Sequence, residues 1–176
     1  MIETPRLILR PWRDTDRAPF AVISQDMRVM TWLVRALDRA ESDAWIALMA
    51  GHQARLGHCL WAMEHRDDGA LIGVCGLKPG ADGTPISASV EIGWRLRADD
   101  WGRGYAREAA QASLSWAWHN LPIDHVHAIT AAANIRSRHL MEKLGMERCP
   151  NMDFDHPIVP EGHELKPHVA YVAQRP

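Results

Sequence analysis

Between Val90 and Ala109 the chain reads Val-Glu-Ile-Gly-Trp-Arg-Leu-Arg-Ala-Asp-Asp-Trp-Gly-Arg-Gly-Tyr-Ala-Arg-Glu-Ala. A β-rich run ends there in a glycine turn that opens a long helix. Helix starts expose N–H groups without intrahelical partners and carry the positive end of the helix dipole, so they attract anions. Gly102 and Gly104 lack a Cβ, which lets successive N–H groups curl around a phosphate. Behind them Ala106, Ala109, Ala110, Ser113 and Ala117 form a narrow face of small residues. Such a face lets the helix sit close to a sheet and fixes where its start points. Glu91 lies on the preceding strand, and alternation puts it on the same face as Gly93 and Arg95. A half-buried carboxylate there has a raised pKa and is suited to taking a proton. The alternative for Glu91 is a structural pairing with a neighbouring arginine or with backbone.

The elements that must position these residues follow from periodicity. Arg6–Trp12 reads as a first strand ending at proline, and Asp14 or Thr15 is a candidate N-cap for a helix carrying Ala18, Val22 and Ile23. Ser42 is the candidate cap of a second helix, with Trp45, Ile46, Leu48, Met49 and Leu56 at steps of three and four until Gly57. Cys59–Glu64 and Ala70–Leu77 flank Asp67-Asp68-Gly69 as a hairpin. Ser87–Leu96 is a strand, Gly104–Asn120 a helix closed by Pro122, Val126–Ala131 a strand, and Ser137–Leu144 a short helix stopped by Gly145. His168–Ala173 is a last strand. The order is that of a mixed α/β layer around one sheet. With 176 residues, no composition break and no internal repeat, the whole of residues 1–176 is expected to form one domain.

Hydrophobic residues make up 47% and charged residues 24%, as in ordinary globular proteins, which excludes disorder, collagen-like repeats and coiled coil. The net charge of −2 gives no basic balance pointing to nucleic acid. No apolar run approaches the ~20 residues of a membrane span. Cys59, Cys75 and Cys149 cannot all pair with one another and form no C-x-x-C, so reduced thiols and a cytoplasmic location are expected. Histidines number ten, and His125 and His127 share a strand face, yet no third ligand stands at a useful spacing, so no metal is expected. Trp12, Trp32 and Trp94 are candidates for an acceptor pocket. Trp45, Trp116 and Trp118 fall on helical faces and read as core or partner surface. Asp153, Asp155 and His156 either face a cationic acceptor or form a solvated loop.

A Walker A loop is excluded, since no Gly-Lys pair occurs, and a dinucleotide fingerprint would need glycine where Arg107 stands. Taken alone, the Gly-x-Gly reads first as a turn that merely begins a helix. The stretch Trp101-Gly102-Arg103-Gly104-Tyr105-Ala106, however, resembles the pyrophosphate motif [Q/R]-x-x-G-x-[G/A] of the GNAT N-acetyltransferases. Trp101 replaces the usual Gln or Arg, as in the branch resembling ribosomal-protein N-terminal acetyltransferases. Asn134-Ile135-Arg136-Ser137-Arg138-His139-Leu140-Met141-Glu142-Lys143-Leu144-Gly145-Met146 is similar to that branch's N-x-x-S-x-x-L-x-E-K-L-G-F, and Thr4–Arg10 to its T-x-R-L-x-L-R start.

The resemblance implies a single mixed central sheet, splayed in the middle and flanked by helices on both faces. It implies acetyl-CoA as co-substrate in the splay between Ser87–Leu96 and Val126–Ala131. Trp94 to Leu96 would then bond pantetheine and offer an N–H to the thioester carbonyl. Trp101, Gly102, Arg103, Gly104, Tyr105 and Ala106 would hold the pyrophosphate. Asn134 and Ser137 would point at the pantetheine arm and the sulfur. Acetyl transfer to an amine needs an ammonium of pKa ~10 to lose a proton and a thiolate to leave. Glu91 is the expected base and Ser137 the expected proton donor to sulfur, because Leu140 stands where many members use tyrosine. The acceptor is expected to be a peptide α-amine or a small amine. The competing reading is a non-catalytic acyl-CoA-binding module, suggested by Trp101 and Leu140.

Overall fold

The computed structural model describes every residue from Met1 to Pro176. Short strands β1 (Ile2–Glu3) and β2 (Leu7–Arg10) lead through a 3-10 turn at Asp14–Asp16 into helices α1 (Arg17–Gln25), α2 (Met27–Met30) and α3 (Arg39–Leu56). A hairpin follows, β3 (Leu60–His65) and β4 (Leu71–Pro79), then β5 (Val90–Leu96), α4 (Tyr105–Asn120), β6 (His125–Ala131) and α5 (Ile135–Lys143). The chain ends with β7 (Glu147–Arg148), β8 (Phe154–Asp155) and β9 (Pro167–Gln174).

Local chemistry sets the ends of these elements. Asp38 caps α3 by accepting the Glu41 N–H, Glu41 reciprocates, and Gly57 at φ 75° closes the helix. Ser42, the expected cap, is instead buried inside the helix, because the Asp38–Glu41 box starts it earlier. Neither Asp14 nor Thr15 caps with its side chain: the helical turn already includes both. The Asp67–Gly69 turn forms as expected, with Gly69 at φ 69° and the Asp68 carboxylate accepting the Ala70 N–H at 3.0 Å. Residues 87–89 do not join β5, since the N–H groups of Ser87 and Ser89 donate backward to Thr84 and Ile86 in successive turns. Strands β1, β7 and β8, of two residues each, and the four-residue α2 are too short for periodicity to reveal.

All nine strands form one sheet, in the order β1-β2-β3-β4-β5-β6-β9-β7, with β8 also on β9. Every neighbouring pair is antiparallel except β5 and β6. Helix α4 covers one face, where the Ser113 hydroxyl lies 3.8 Å from the Cys75 sulfur and Ala109, Ala110 and Ala117 are fully enclosed. The small-residue face thus does what its composition suggests. Helices α1 and α3 cover the other face, where Phe20 stacks on Trp45 with ring centroids 4.9 Å apart and Trp12 packs edge-on to both. No helix is long and apolar enough to cross a membrane.

Candidate active site

The parallel junction is parted. Strands β5 and β6 share a single register pair, Glu91 with His127, and separate beyond it toward their carboxyl ends. On its other edge β5 stays paired with β4 along its whole length, Gly73 opposite Leu96 through Pro79 opposite Val90. The Arg97 N–H donates to the Ile72 carbonyl at 2.8 Å, which fixes the alternation of that antiparallel ladder. Odd-numbered residues of β5 therefore bond to β4, while the backbone groups of Trp94 and Leu96 face the opening. Buried amides need partners, so this edge can receive an extended ligand as a further strand.

The glycine turn stands beside the opening. Gly102 and Gly104 adopt φ of 74° and 83°, and none of the six N–H groups from Gly102 to Arg107 donates to another atom of the chain. That is the donor array a diphosphate needs. Trp101 does not aim its side chain at that array: its indole N–H donates to the Leu96 carbonyl at 3.0 Å and staples the turn to the strand. A cation stands beside its ring. Arg136, exposed at the start of α5, lies 4.9 Å from the Trp101 ring centre. Its place within the Asn134–Ser137 turn was the signal that sequence reasoning passed over. Arg103 directs its guanidinium to Asp100 at 4.0 Å, so its contribution to the array is its amide. Tyr105 is buried with its hydroxyl 3.2 Å from His65, and Ala106 packs against the core.

The turn is anchored from the amino terminus. Arg6 donates to the Arg103 carbonyl at 2.9 Å and pairs with Glu108, which also accepts from the Thr4 hydroxyl at 2.7 Å. Replacing Gly104 by valine is expected to weaken CoA binding at least tenfold by titration calorimetry. A β-branched residue resists φ 83°, and its Cβ would stand 3.5 Å from Arg6 Nη2, the group that anchors the turn. Gly102→Asn, with open space around its Cβ and a residue that tolerates the left-handed region, is expected to retain most of the affinity.

Across the opening, Asn134 caps α5 by accepting the Ser137 N–H at 3.2 Å and donates to the Thr130 hydroxyl at 3.1 Å. Both ends of its amide are thereby committed to the chain, so its direct effect is to fix Ser137. The Trp94 indole N–H donates to Ser137 Oγ at 3.1 Å, bridging the two sides of the opening on the α4 face. With its oxygen accepting, the Ser137 hydroxyl proton is free to be donated.

Glu91 sits on the opposite face of β5. Lys78, its register partner on β4, is ion-paired with it, so the neighbour is a lysine rather than an arginine. Burial pushes the Glu91 carboxyl up, and Lys78 partly offsets that. His127 lies in register on β6 with its Nδ1 enclosed and unpartnered, and burial lowers its pKa. The same face holds Arg95. At the carboxyl ends of the strands lies a cavity of about 450 Å³, bordered by Arg28, Trp32, Trp101, Ile135 and Arg136. Of the tryptophans singled out for an acceptor pocket, Trp32 borders it, Trp94 holds Ser137, and Trp12 packs in the Phe20 cluster. Asp153 is paired with Arg148, and His156 lies 4.6 Å from the His168 ring centre.

A sheet parted at its one parallel junction, with a bare helix start beside the gap, defines a single-sheet acyltransferase domain. The chain belongs to the GNAT acetyltransferases: the acetyltransferase (GNAT) domain model matches residues 6–147. YkkB of Bacillus subtilis (strain 168) is 30% identical over 144 residues, covering 81% of this chain and 83% of that protein. Among solved structures, a GNAT-family acetyltransferase from Bacillus anthracis superposes with a TM-score of 0.81 at 22% identity, covering 98% and 97% of the two chains. RimL, a ribosomal L7/L12 alpha-N-protein acetyltransferase solved with coenzyme A, superposes at 0.78 with 13% identity, covering 97% and 95%.

Proposed function

We propose that the protein transfers the acetyl group of acetyl-CoA to a primary amine by direct attack in a ternary complex. The observation that carries this reading is the opening between β5 and β6, with the Trp94 backbone and the Leu96 N–H facing it from the β5 edge and the Gly102–Arg107 amides at its end. Pantetheine lies along the β5 edge and the pyrophosphate on the helix start. The Leu96 N–H faces the thioester carbonyl, where a comparable donor is worth ~3–4 kcal/mol in the transition state. Asn134 holds Ser137, Trp94 orients the hydroxyl, and Ser137 donates its hydrogen bond to the departing sulfur. Glu91 receives the amine proton, directly or through water, and neutral His127 beside it can accept a proton in turn. Base and acid thus stand on opposite faces of β5, so the amine approaches from the α1/α3 face while the thiolate is met on the α4 face. CoA thiol release is the test, measured from acetyl-CoA with and without a panel of amines. Amine-dependent release is expected. Tight CoA binding with no release for any amine would instead identify a non-catalytic acyl-CoA-binding module.

A further inference from the structure

Two guanidinium groups are drawn into the interior of this protein, and they are treated in opposite ways. Arg10 is paired with Asp16 through both terminal nitrogens and with Glu64 through Nε. Arg95 has no ion pair and no hydrogen bond from any of its guanidinium nitrogens within the chain, although its Nη1 is enclosed. Two aromatic rings lie close to it: the guanidinium carbon is 5.5 Å from the Trp45 ring centre and 5.8 Å from that of Phe20. Those rings, stacked on each other and braced by Trp12, hold the side chain in place without satisfying its donors. An enclosed guanidinium with unmet donors is costly, and few native groups are left so. Burial accordingly pulls its pKa down to about 10, which still leaves it charged at neutral pH.

Its position gives that cost a use. Arg95 lies between Trp94 and Leu96, whose backbones face the opening, and no residue of β6 pairs with it because the strands have already separated. It points to the face that also carries Glu91. The other cation on that stretch, Lys78, is engaged by Glu91. A single free, planar, five-donor group matches one carboxylate, taken by two parallel N–H···O bonds. A phosphate dianion would call for a second cation, and a polyamine would be repelled.

We infer that Arg95 binds a carboxylate of the acceptor, and that the acceptor is a small amino-carboxylate, an amino acid or a close analogue, rather than a polyamine or a neutral peptide end. This rests on the acetyltransferase reading above and names the substrate class of that same site. The carboxylate sits on Arg95 and the amine is presented between the thioester and Glu91.

The test compares amino acids with their own amides, and with peptides having an uncharged first side chain, in the CoA thiol-release assay. The wild-type protein is expected to favour each acid over its amide at least tenfold in kcat/KM. Arg95→Met is expected to bring that ratio to within twofold, and Arg95→Lys to fall between. Equal rates for acid and amide, faster peptides, or a preference that survives in Arg95→Met would each overturn the assignment. Integrity of the variants is judged by CoA affinity.

A second measurement separates this idea from the reaction itself: calorimetric binding of N-acetyl amino acids to the CoA-saturated protein. Binding that is lost in Arg95→Met supports the carboxylate site even where no turnover is seen, and then only the enzymatic reading fails. Absence of binding in the wild-type protein, alongside amine-dependent thiol release, overturns the site and leaves the reaction standing.

Discussion

Glu91→Gln is expected to lower turnover on the order of a hundredfold while leaving CoA affinity near that of the wild-type protein, because a positioned base contributes about that much or more. Glutamine keeps the shape and a hydrogen-bond acceptor for Lys78 but cannot take a proton. The pH profile sharpens the test. Burial raises the Glu91 pKa and Lys78 lowers it, burial prevailing. Activity is therefore expected to fall as pH drops through a value above the ordinary carboxylate range. Lys78→Met removes the lowering influence, so the acid limb of kcat/KM is expected to move to higher pH. The stability of the fold responds with opposite sign. A carboxyl whose folded pKa is raised stabilises the native state at low pH and loses that contribution as pH rises through the folded value. If Glu91→Gln changes neither turnover nor the acid limb, the carboxylate serves only to hold Lys78.

The largest loss of stability is expected from Asp16→Ala. Asp16 and Arg10 are both 4% exposed and meet in a two-pronged pair at 2.7 and 2.8 Å, and Asp16 also accepts the Arg13 N–H. Removing one partner of such a pair costs about 3–5 kcal/mol, since the remaining charge is stranded. Against a total of roughly 5–15 kcal/mol, that brings the folded state near its limit. A urea unfolding midpoint that drops sharply with an unchanged slope would show it. A drop equivalent to less than about 1 kcal/mol would mean that Glu64 alone, 2.6 Å from Arg10 Nε, neutralises the guanidinium.

The two halves of the site differ in how far they could be read from residue order. The Gly102–Ala106 turn and the Asn134–Ser137 cap are local: positive φ, helix start and side-chain cap all lie within a few residues of each other. Their positions and the strands leading into them were legible, with boundaries off by three residues or fewer. What stayed hidden is set by register. Lys78 meets Glu91, and Arg10 meets Glu64, only because particular strand pairings bring residues 13 and 54 positions apart side by side. A one-residue slip would separate both. Exposure shows the same limit at helix surfaces. Val22 and Leu48 fit an apolar spacing yet are 69% and 51% exposed, since the neighbouring Phe20, Ile23, Ile46 and Met49 already fill the space against the sheet. The exchange of Trp101 for a polar residue was visible at once. The indole–Leu96 bond and the approach of Arg136 were not, because both depend on how the turn folds back.

The lone Glu91–His127 rung has a mechanical meaning as well. In backbone terms the molecule is two meshed fabrics, five strands and four, sewn together by one stitch and backed by helices. On the proposed reading a thioester cofactor laid into the slit would be a second seam, its binding energy resisting not only its own escape but the peeling of one fabric from the other. Heat and solvent would then have to undo both, tying the cohesion of the whole to the supply of a metabolite.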